Sequence, residues 1–346
     1  MCTWAQFSPV METALRTLER GWQWEDRQCS HVPTSFLNIV INWYSKLTVR
    51  IRWNTALSDI LRVRSGIRQG GVLSPSLFNV YADMFINNVL INNSGCYINR
   101  CCVACIMYAD DLILLSPSVS GLQKLLDVSV MTAKELCLQF NYKKSHCIVF
   151  GPRYQCEAAP LYLHNKPLQW VSSVKYLGVT LMSSKRISFD LNQVRRKFFG
   201  CVNSIMSHSG GMSDMVKLHL AESYCYPLLS YALECFNFTS SYMQQLSACW
   251  NSVYRKIFHY KPWTSVRELM YCLGRMNFEY LFYKKKLCFL HSMRGCKNVV
   301  VSSVMEVFVR SEEYRKTYDF ADVKPCDTKD KITCCLRVKF ADSIEY

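Results

Sequence analysis

Two adjacent carboxylates, Asp110 and Asp111, are the residues of this sequence best suited to chemistry. They join two short apolar runs, Cys101 to Met107 and Leu112 to Leu115, and this pattern predicts a tight β-hairpin with the carboxylates at its turn. Carboxylates that protrude from a rigid sheet edge can hold divalent metal without distorting the core, which suits two-metal phosphoryl transfer. Mg²⁺ would still need further oxygen ligands. An ordinary hydrogen-bonding turn is the alternative interpretation, because Asp is common in turns.

A glycine-bearing loop precedes the predicted hairpin and runs through Ser65-Gly66-Ile67-Arg68-Gln69-Gly70-Gly71-Val72-Leu73-Ser74-Pro75-Ser76-Leu77-Phe78. Gly70 and Gly71 remove side chains where the backbone must approach a ligand, and Gln69 offers both a donor and an acceptor. A structural loop that binds no ligand would tolerate the same residues. Ser74 and Pro75 predict a helix start, with the serine hydroxyl as the cap.

This loop, followed by Tyr108-Ala109-Asp110-Asp111, resembles the reverse transcriptases of non-LTR (LINE-type) retrotransposons. In that family the loop and its helix contact the template base and the incoming nucleotide, and the YADD turn supplies metal-binding carboxylates. The resemblance therefore implies nucleotide and template binding by a set of loop residues, Arg68, Gln69, Gly70 and Gly71. It also implies catalytic and metal-binding roles, with Mg²⁺ as the cofactor, for Asp110 and Asp111.

The resemblance covers roughly residues 31–297, from Trp43-Tyr44 upstream to Tyr254-Arg255-Lys256-Ile257 and Asn277-Phe278-Glu279 downstream, and two segments between them carry further roles. The segment Phe140-Asn141-Tyr142-Lys143-Lys144-Ser145 resembles the family's lysine-containing segment, in which a cation faces the triphosphate or assists its leaving group. Lys144 is the better match for this catalytic role. The segment Lys175-Tyr176-Leu177-Gly178 is similar to the turn that holds the primer end, which implies a primer-grip role for Tyr176, Leu177 and Gly178. A strand end with a glycine is the alternative interpretation of this second segment.

The sequence departs from the family where the first catalytic aspartate should stand, upstream of Trp43-Tyr44. The acidic residues before Pro33 are Glu12, Glu19, Glu25 and Asp26. The family aspartate is followed five residues later by an aromatic that screens the sugar, whereas His31 stands five residues after Asp26. A metal contribution of several kcal/mol corresponds to roughly a thousandfold or more in rate. We therefore expect a poor polymerase, and a truncated element without the fingers and endonuclease domains.

The elements around these motifs follow from the spacing of apolar residues. A helix is predicted from Pro33 through the apolar residues Phe36, Ile39, Val40, Trp43 and Tyr44. Ser118 and Ser120 are the two candidate caps of a helix that follows the hairpin. Further short strands are predicted at Val149-Phe150 and between Leu161 and Leu181.

Strands and helices mix up to about Met182, and the pattern is helical after Arg186. This predicts an α+β fold, in which a reverse transcriptase palm with a small antiparallel sheet is followed by an all-helical, thumb-like domain. The boundaries are an unmatched segment over 1–30, the palm over 31–185, the thumb-like region over 186–300 and a tail without assigned role over 301–346.

The composition favours a polyanionic partner. Lys and Arg number 41 against 26 Asp and Glu, giving a net charge of +15 and a pI near 9.0. Basic clusters at Arg195-Arg196-Lys197 and Lys284-Lys285-Lys286 predict contact with a phosphate backbone, and solvated helix faces are the alternative. The resemblance implies an RNA template, a DNA primer and deoxynucleoside triphosphates as partners; it identifies no protein partner.

The 19 cysteines and the absence of a signal-peptide core predict a reducing, intracellular location, with nucleus and cytoplasm not distinguished. Cys102 and Cys105 have the spacing of half a zinc site, but no second pair completes it. No apolar run approaches the ~20 residues that a membrane span needs, so we expect a soluble protein without membrane contact.

These observations favour an RNA-directed DNA polymerase domain by descent, impaired as the chain stands. The first alternative is a non-catalytic, nucleic-acid-binding remnant whose basic helices grip a strand without synthesis. The second is an unstable pseudogene product, because a sheet edge left open favours aggregation.

Overall fold

The computed structural model describes residues 33–62, 71–136 and 138–344. The described residues divide into two compact units. The first unit runs to Cys147 and takes in Glu157–Trp170, and the second joins Ile148–Cys156 to the residues from Val171 onward. Helices mix with small sheets that are mostly antiparallel, which confirms the predicted α+β fold class. The boundaries at residues 185 and 300 belong to the palm and thumb interpretation and stay predictions.

The helices described in the first unit are α1 (Thr34–Ser45), α2 (Ser74–Leu90) and α3 (Val119–Glu135). Helix α1 lies where the apolar spacing predicts it. Of its predicted apolar face, Val40 and Tyr44 are buried, whereas Phe36, Ile39 and Trp43 are exposed. The spacing therefore predicted the helix correctly, but not the extent of its burial.

The helix starts also follow the sequence closely. Helix α2 begins at Ser74, with Pro75 in its first turn, although its cap position falls one residue earlier than predicted, on Leu73. Ser118 caps α3, because its hydroxyl accepts a hydrogen bond from the Gly121 amide at 3.1 Å. Of the two candidate serines, Ser118 is thus the cap.

The strands described in the first unit are short: β1 (Thr48–Val49), β2 (Arg52–Trp53), β3 (Ala56–Leu57), β4 (Leu61–Arg62), β5 (Cys96–Ile98), β6 (Cys101–Val103), β7 (Cys105–Tyr108), β8 (Asp111–Leu114), β9 (His146–Cys147), β10 (Tyr162–Leu163), β11 (Lys166–Pro167) and β12 (Gln169–Trp170). Antiparallel pairs form between β1 and β4, β2 and β3, β5 and β6, β7 and β8, and β10 and β11. Strands β9 and β12 pair in parallel.

The prediction of a strand at Val149 and Phe150 is wrong. The nearest strand is β9, which ends at Cys147. The carbonyl of Val149 accepts a hydrogen bond from the Ser183 hydroxyl at 2.7 Å, so a side chain rather than a neighbouring strand satisfies this part of the backbone.

One core of the first unit lies between α2, α3 and the β7–β8 hairpin. Its buried residues are Val80, Phe85, Val89, Ala104, Leu125, Ala133 and Leu138. The Phe85 and Phe140 rings meet edge to face, with centroids 6.2 Å apart. A second cluster packs other residues of α3 against the segment after it, at Cys147, Leu161, Leu163 and Leu168. Helix α3 therefore ties the hairpin to the strands that follow.

The second unit begins with a small antiparallel sheet of β13 (Ser173–Tyr176), β14 (Val179–Met182) and β15 (Ser188–Phe189). Its helices are α4 (Leu191–His208), α5 (Asp214–Leu220), α6 (Tyr226–Ser230), α7 (Ser240–Ile257), α8 (Arg267–Cys272), α9 (Phe278–Arg294), α10 (Val299–Val309), α11 (Glu312–Ala321) and α12 (Lys329–Asp342). One extended core joins these helices, with Phe198, Trp250 and Tyr254 among its most buried residues. In the described ranges, no helix combines the length and apolarity that crossing a membrane requires.

The segment after residue 300, for which no role is predicted, is helical and belongs to this core. Helices α10, α11 and α12 pack on α9. They contribute the buried side chains Met305, Tyr314, Tyr318, Ile332, Leu336 and Phe340. The many charged residues of this segment obscure its apolar positions when composition alone is considered.

Candidate functional site

The two carboxylates lie at the turn of the β7–β8 hairpin, as predicted. The register pairs Tyr108 with Asp111, so the turn itself consists of Ala109 and Asp110. Ala109 has a φ of 49°, in the left-handed region. A positive φ at the first turn residue is the property of the primed turns, whose twist matches that of the two strands.

The strand alternation separates a buried from an open face of this hairpin. Cys105, Met107, Leu112 and Leu114 pack against the core between α2 and α3. On the other face, Tyr108 is 63% exposed. Asp110 is half-buried at the turn and Asp111 is exposed on the open face. The core thus fixes the hairpin, while both carboxylates remain accessible to a ligand.

The donor set at this turn fits a hard cation only in part. Two carboxylates suit Mg²⁺, which binds oxygen ligands and commonly completes its shell with water and substrate phosphates. In the described ranges, no group of three His, Cys, Asp or Glu side chains could hold a metal ion. Asp110 and Asp111 would therefore supply only part of the ligand shell of a divalent cation, and water or substrate oxygens would have to complete it.

The first six residues of the glycine loop, 65–70, lie outside the described residues, and they include the site residues Arg68, Gln69 and Gly70. Gly71 is described, is half-buried and leads into α2, and its carbonyl accepts a hydrogen bond from the Ser74 amide at 3.1 Å. Helix α2 contacts β7. The end of the loop and the carboxylate hairpin are thus mounted on the same core.

Lys144 lies in the first unit, exposed at the end of a short 3-10 helix, Tyr142–Lys144. This segment is anchored on both sides. Phe140 packs in the core beneath the hairpin, and the Tyr142 hydroxyl donates to the Pro167 carbonyl at 2.6 Å. The lysine segment therefore has a fixed backbone and a solvent-facing cation.

The predicted primer-grip residues form the turn between β13 and β14, in the second unit. Tyr176 pairs with Val179, and the turn residues Leu177 and Gly178 have φ of 43° and 84°. Two successive left-handed residues define a type I′ turn, and such a φ is unfavourable for leucine. Tyr231 contacts this turn, a residue that no motif or spacing in the sequence singled out.

The two basic clusters differ in structure. Lys286 is 4% exposed and bonds the Glu313 carboxylate, and Lys285 pairs with Glu234 at 3.1 Å. The prediction that this cluster contacts phosphate is wrong for Lys286, because its charge is satisfied inside the helical unit. In the other cluster, Arg196 and Lys197 are exposed on α4. The cluster on α4 thus presents two of its three cations to solvent, whereas Arg195 is half-buried.

Cys102 and Cys105, which have the spacing of half a zinc site, lie on the successive strands β6 and β7. Burial, with a smaller contribution from the Cys102 thiol, raises the pKa of Cys105 to about 11. All cysteines that the structure describes are free thiols.

The chain is similar to a known protein family and to known retrotransposon proteins. Residues 17–181 match the family model described as reverse transcriptase (RNA-dependent DNA polymerase), a match that starts before residue 31 and ends near 185. The Pol polyprotein of the type-1 retrotransposable element R2 of Popillia japonica is 25% identical over 262 residues, covering 72% of this chain and 40% of the relative.

Two Drosophila melanogaster proteins are also similar to this chain. The Pol polyprotein of the type-2 retrotransposable element R2DM is 27% identical over 165 residues, covering 45% of this chain and 15% of the relative. The RNA-directed DNA polymerase of the mobile element jockey is 23% identical over 214 residues, covering 59% of this chain and 23% of the relative. The chain thus spans less than half the length of each of these relatives. The family generally uses a divalent metal ion, an RNA template and nucleotide substrates. Residues 17–181 of this chain thus match the reverse transcriptase domain of the kind found in non-LTR retrotransposons.

Proposed function

We propose that this chain takes part in RNA-directed DNA synthesis, with residues 31–185 as palm and 186–300 as thumb. The observation that carries the proposal is the hairpin turn at Ala109 and Asp110, where two carboxylates are held in the open by a packed core. The order along the chain of the glycine loop, the β7–β8 hairpin, the lysine segment and the turn at Leu177 and Gly178 also supports the proposal.

In this proposal, Asp110 and Asp111 hold Mg²⁺ and orient the triphosphate. The bound cation would neutralise negative charge that develops on the transferring phosphate. Lys144 supplies a second positive charge toward the triphosphate. The loop residues Arg68, Gln69, Gly70 and Gly71 bind the incoming nucleotide and template, and the turn at Tyr176, Leu177 and Gly178 holds the DNA primer end.

We further propose that synthesis by the chain on its own is impaired. The residues before Pro33 offer no aspartate with the family's following aromatic. Loss of one metal ligand weakens both metal binding and charge stabilisation, at a cost of roughly a thousandfold in rate. We place the chain in a reducing, intracellular compartment, because an odd number of cysteines, 19, suits one.

Primer extension by the purified chain on an RNA template tests the catalytic assignment. Asp110→Asn removes one carboxylate charge at the turn, and Asp59→Asn removes one from an exposed loop of the same unit. We expect extension to fall below detection in Asp110→Asn and to be unchanged in Asp59→Asn, with hybrid binding equal in both. Extension that survives Asp110→Asn at the wild-type rate contradicts the proposed site.

A second candidate function is nucleic-acid binding without synthesis. The net charge of +15 and the exposed Arg196 and Lys197 on α4 favour it. Its signature is salt-dependent binding of an RNA–DNA hybrid by wild-type chain that extends no primer. Extension that requires Asp110 would exclude it.

A further inference from the structure

Tyr231 reaches the turn of the β13–β14 hairpin from 54 residues further along the chain. Its hydroxyl donates a hydrogen bond to the Leu177 carbonyl at 2.9 Å. Its ring carbon Cε1 would lie 3.4 Å from a Cβ atom added to Gly178. Tyr231 is nevertheless 57% exposed, so these contacts are not a by-product of deep burial in the core.

The turn needs such support because of its backbone. Leu177 and Gly178 both have positive φ, and only glycine adopts this region without steric cost. The carbonyl of a central turn residue also points away from the strand ladder. The Tyr231 hydroxyl supplies the hydrogen-bond donor for this carbonyl, and the ring lies beside the glycine at van der Waals distance.

Tyr231 is itself held by a second layer of contacts. Its neighbours Ser230 and Glu234 both bind Lys285 of α9: the ammonium donates to the Ser230 carbonyl and pairs with the Glu234 carboxylate at 3.1 Å. Ala232, directly after Tyr231, has a φ of 58°. The short connection that carries Tyr231 is therefore fixed from the helical core on one side and reaches the hairpin turn on the other.

We propose that Tyr231 is a positioning residue for the primer-gripping turn, and that Lys285 fixes Tyr231 in place. The inference rests on the proposed function of Tyr176, Leu177 and Gly178. Tyr231 holds the Leu177-Gly178 backbone in the one conformation that presents the primer terminus, without touching the reacting atoms. The helices of the second unit thereby control the geometry of the turn.

The test compares Tyr231→Phe with Tyr224→Phe in the full chain. Tyr231→Phe keeps the ring beside Gly178 and removes only the hydroxyl. Tyr224 is 63% exposed and its hydroxyl forms no hydrogen bond within the described residues, so Tyr224→Phe is the matched control. One readout is amide hydrogen exchange in the peptide over residues 173–182. The other is affinity for an RNA–DNA hybrid with a recessed DNA 3′ end, relative to the same hybrid with a blunt end.

We expect Tyr231→Phe alone to speed exchange at the turn and to lower the relative affinity for the recessed end by roughly fivefold, the effect of one hydrogen bond. A merely structural role would change both affinities together and leave their ratio unchanged. Unchanged exchange overturns the positioning role, and faster exchange with an unchanged affinity ratio overturns its link to the primer. If the wild-type chain itself does not distinguish the two ends, the primer-grip assignment fails, while the exchange result still decides whether Tyr231 positions the turn.

Discussion

At the residue scale, burial decides which side chains of this chain are available for chemistry. Asp110, Asp111 and Lys144 keep access to solvent at the ends of supported segments. The cysteines fall into buried and exposed thiols. Burial raises the pKa of Cys147 to about 11, whereas Cys156 is exposed. Thiol reactivity should therefore differ sharply between two cysteines that lie close together in the sequence.

Cys147 should react slowly with iodoacetamide at pH 8, and Cys156 should react at least about tenfold faster, because the thiolate is the nucleophile. The raised pKa also makes the stability depend on pH. Between pH 9 and about 11 the Cys147 thiol keeps its proton in the native state, whereas the unfolded thiol, with a pKa near 9.0, loses it. The free energy of unfolding should then fall as the pH rises from 9 toward about 11. Mass spectrometry of alkylated peptides checks the rates, and equal rates would contradict the burial of Cys147.

At the element scale, the sequence predicts starts and turns better than packing. Spacing and capping residues place α1, α2 and α3, and the apolar runs around Asp110 place the hairpin, because these signals are local. The exposed face of α1 and the use of Lys286 as an internal ion pair could not be predicted, since both depend on neighbours distant in sequence. Tyr231 was missed for the same reason: its partner lies 54 residues away.

The cap of α3 gives a direct test of one local signal. Ser118→Ala removes the acceptor of the Gly121 amide and should lower the free energy of unfolding by about 1 kcal/mol. Ser120→Ala, two residues further along the chain, should change it by less than about 0.5 kcal/mol. Urea denaturation of both variants measures the difference, and similar losses would mean that the cap does not stabilise α3.

The ion pair between α9 and α11 tests the corrected role of the second basic cluster. The Lys286 side chain is 5% exposed and that of Glu313 is 25% exposed. Lys286→Met should cost about 3 kcal/mol, because it leaves a partly buried carboxylate unpaired. Lys316→Met breaks a pair whose side chains are 72% and 73% exposed and should leave the free energy of unfolding nearly unchanged, because solvent screens the pair. Equal losses of unfolding free energy in the two variants, measured by thermal or urea denaturation, would mean that Lys286 behaves as a surface cation.

At the scale of the whole molecule, the charge of +15 should act through the exposed cations of α4. The double variant Arg196→Gln and Lys197→Gln should flatten the dependence of log affinity for duplex on log salt by about 0.9 for each phosphate that is no longer neutralised. The double variant Lys316→Gln and Lys331→Gln removes the same charge from α11 and α12 and should leave the slope unchanged. Filter binding over a range of salt compares them, and equal slopes would place the nucleic-acid interface away from α4.

The fold and the motif order together support a metal site at the β7–β8 turn, and this claim can be measured without synthesis. Mn²⁺ occupies oxygen sites like those of Mg²⁺ and reports its binding by electron paramagnetic resonance. We would titrate Mn²⁺ into wild-type chain, Asp110→Asn and Asp59→Asn, each with the same hybrid and deoxynucleoside triphosphate. Wild type and Asp59→Asn should bind equally, and Asp110→Asn at least about tenfold more weakly, since even the loss of an outer-shell partner costs that much. Equal affinity in all three chains would mean that the carboxylates at this turn are not a metal site.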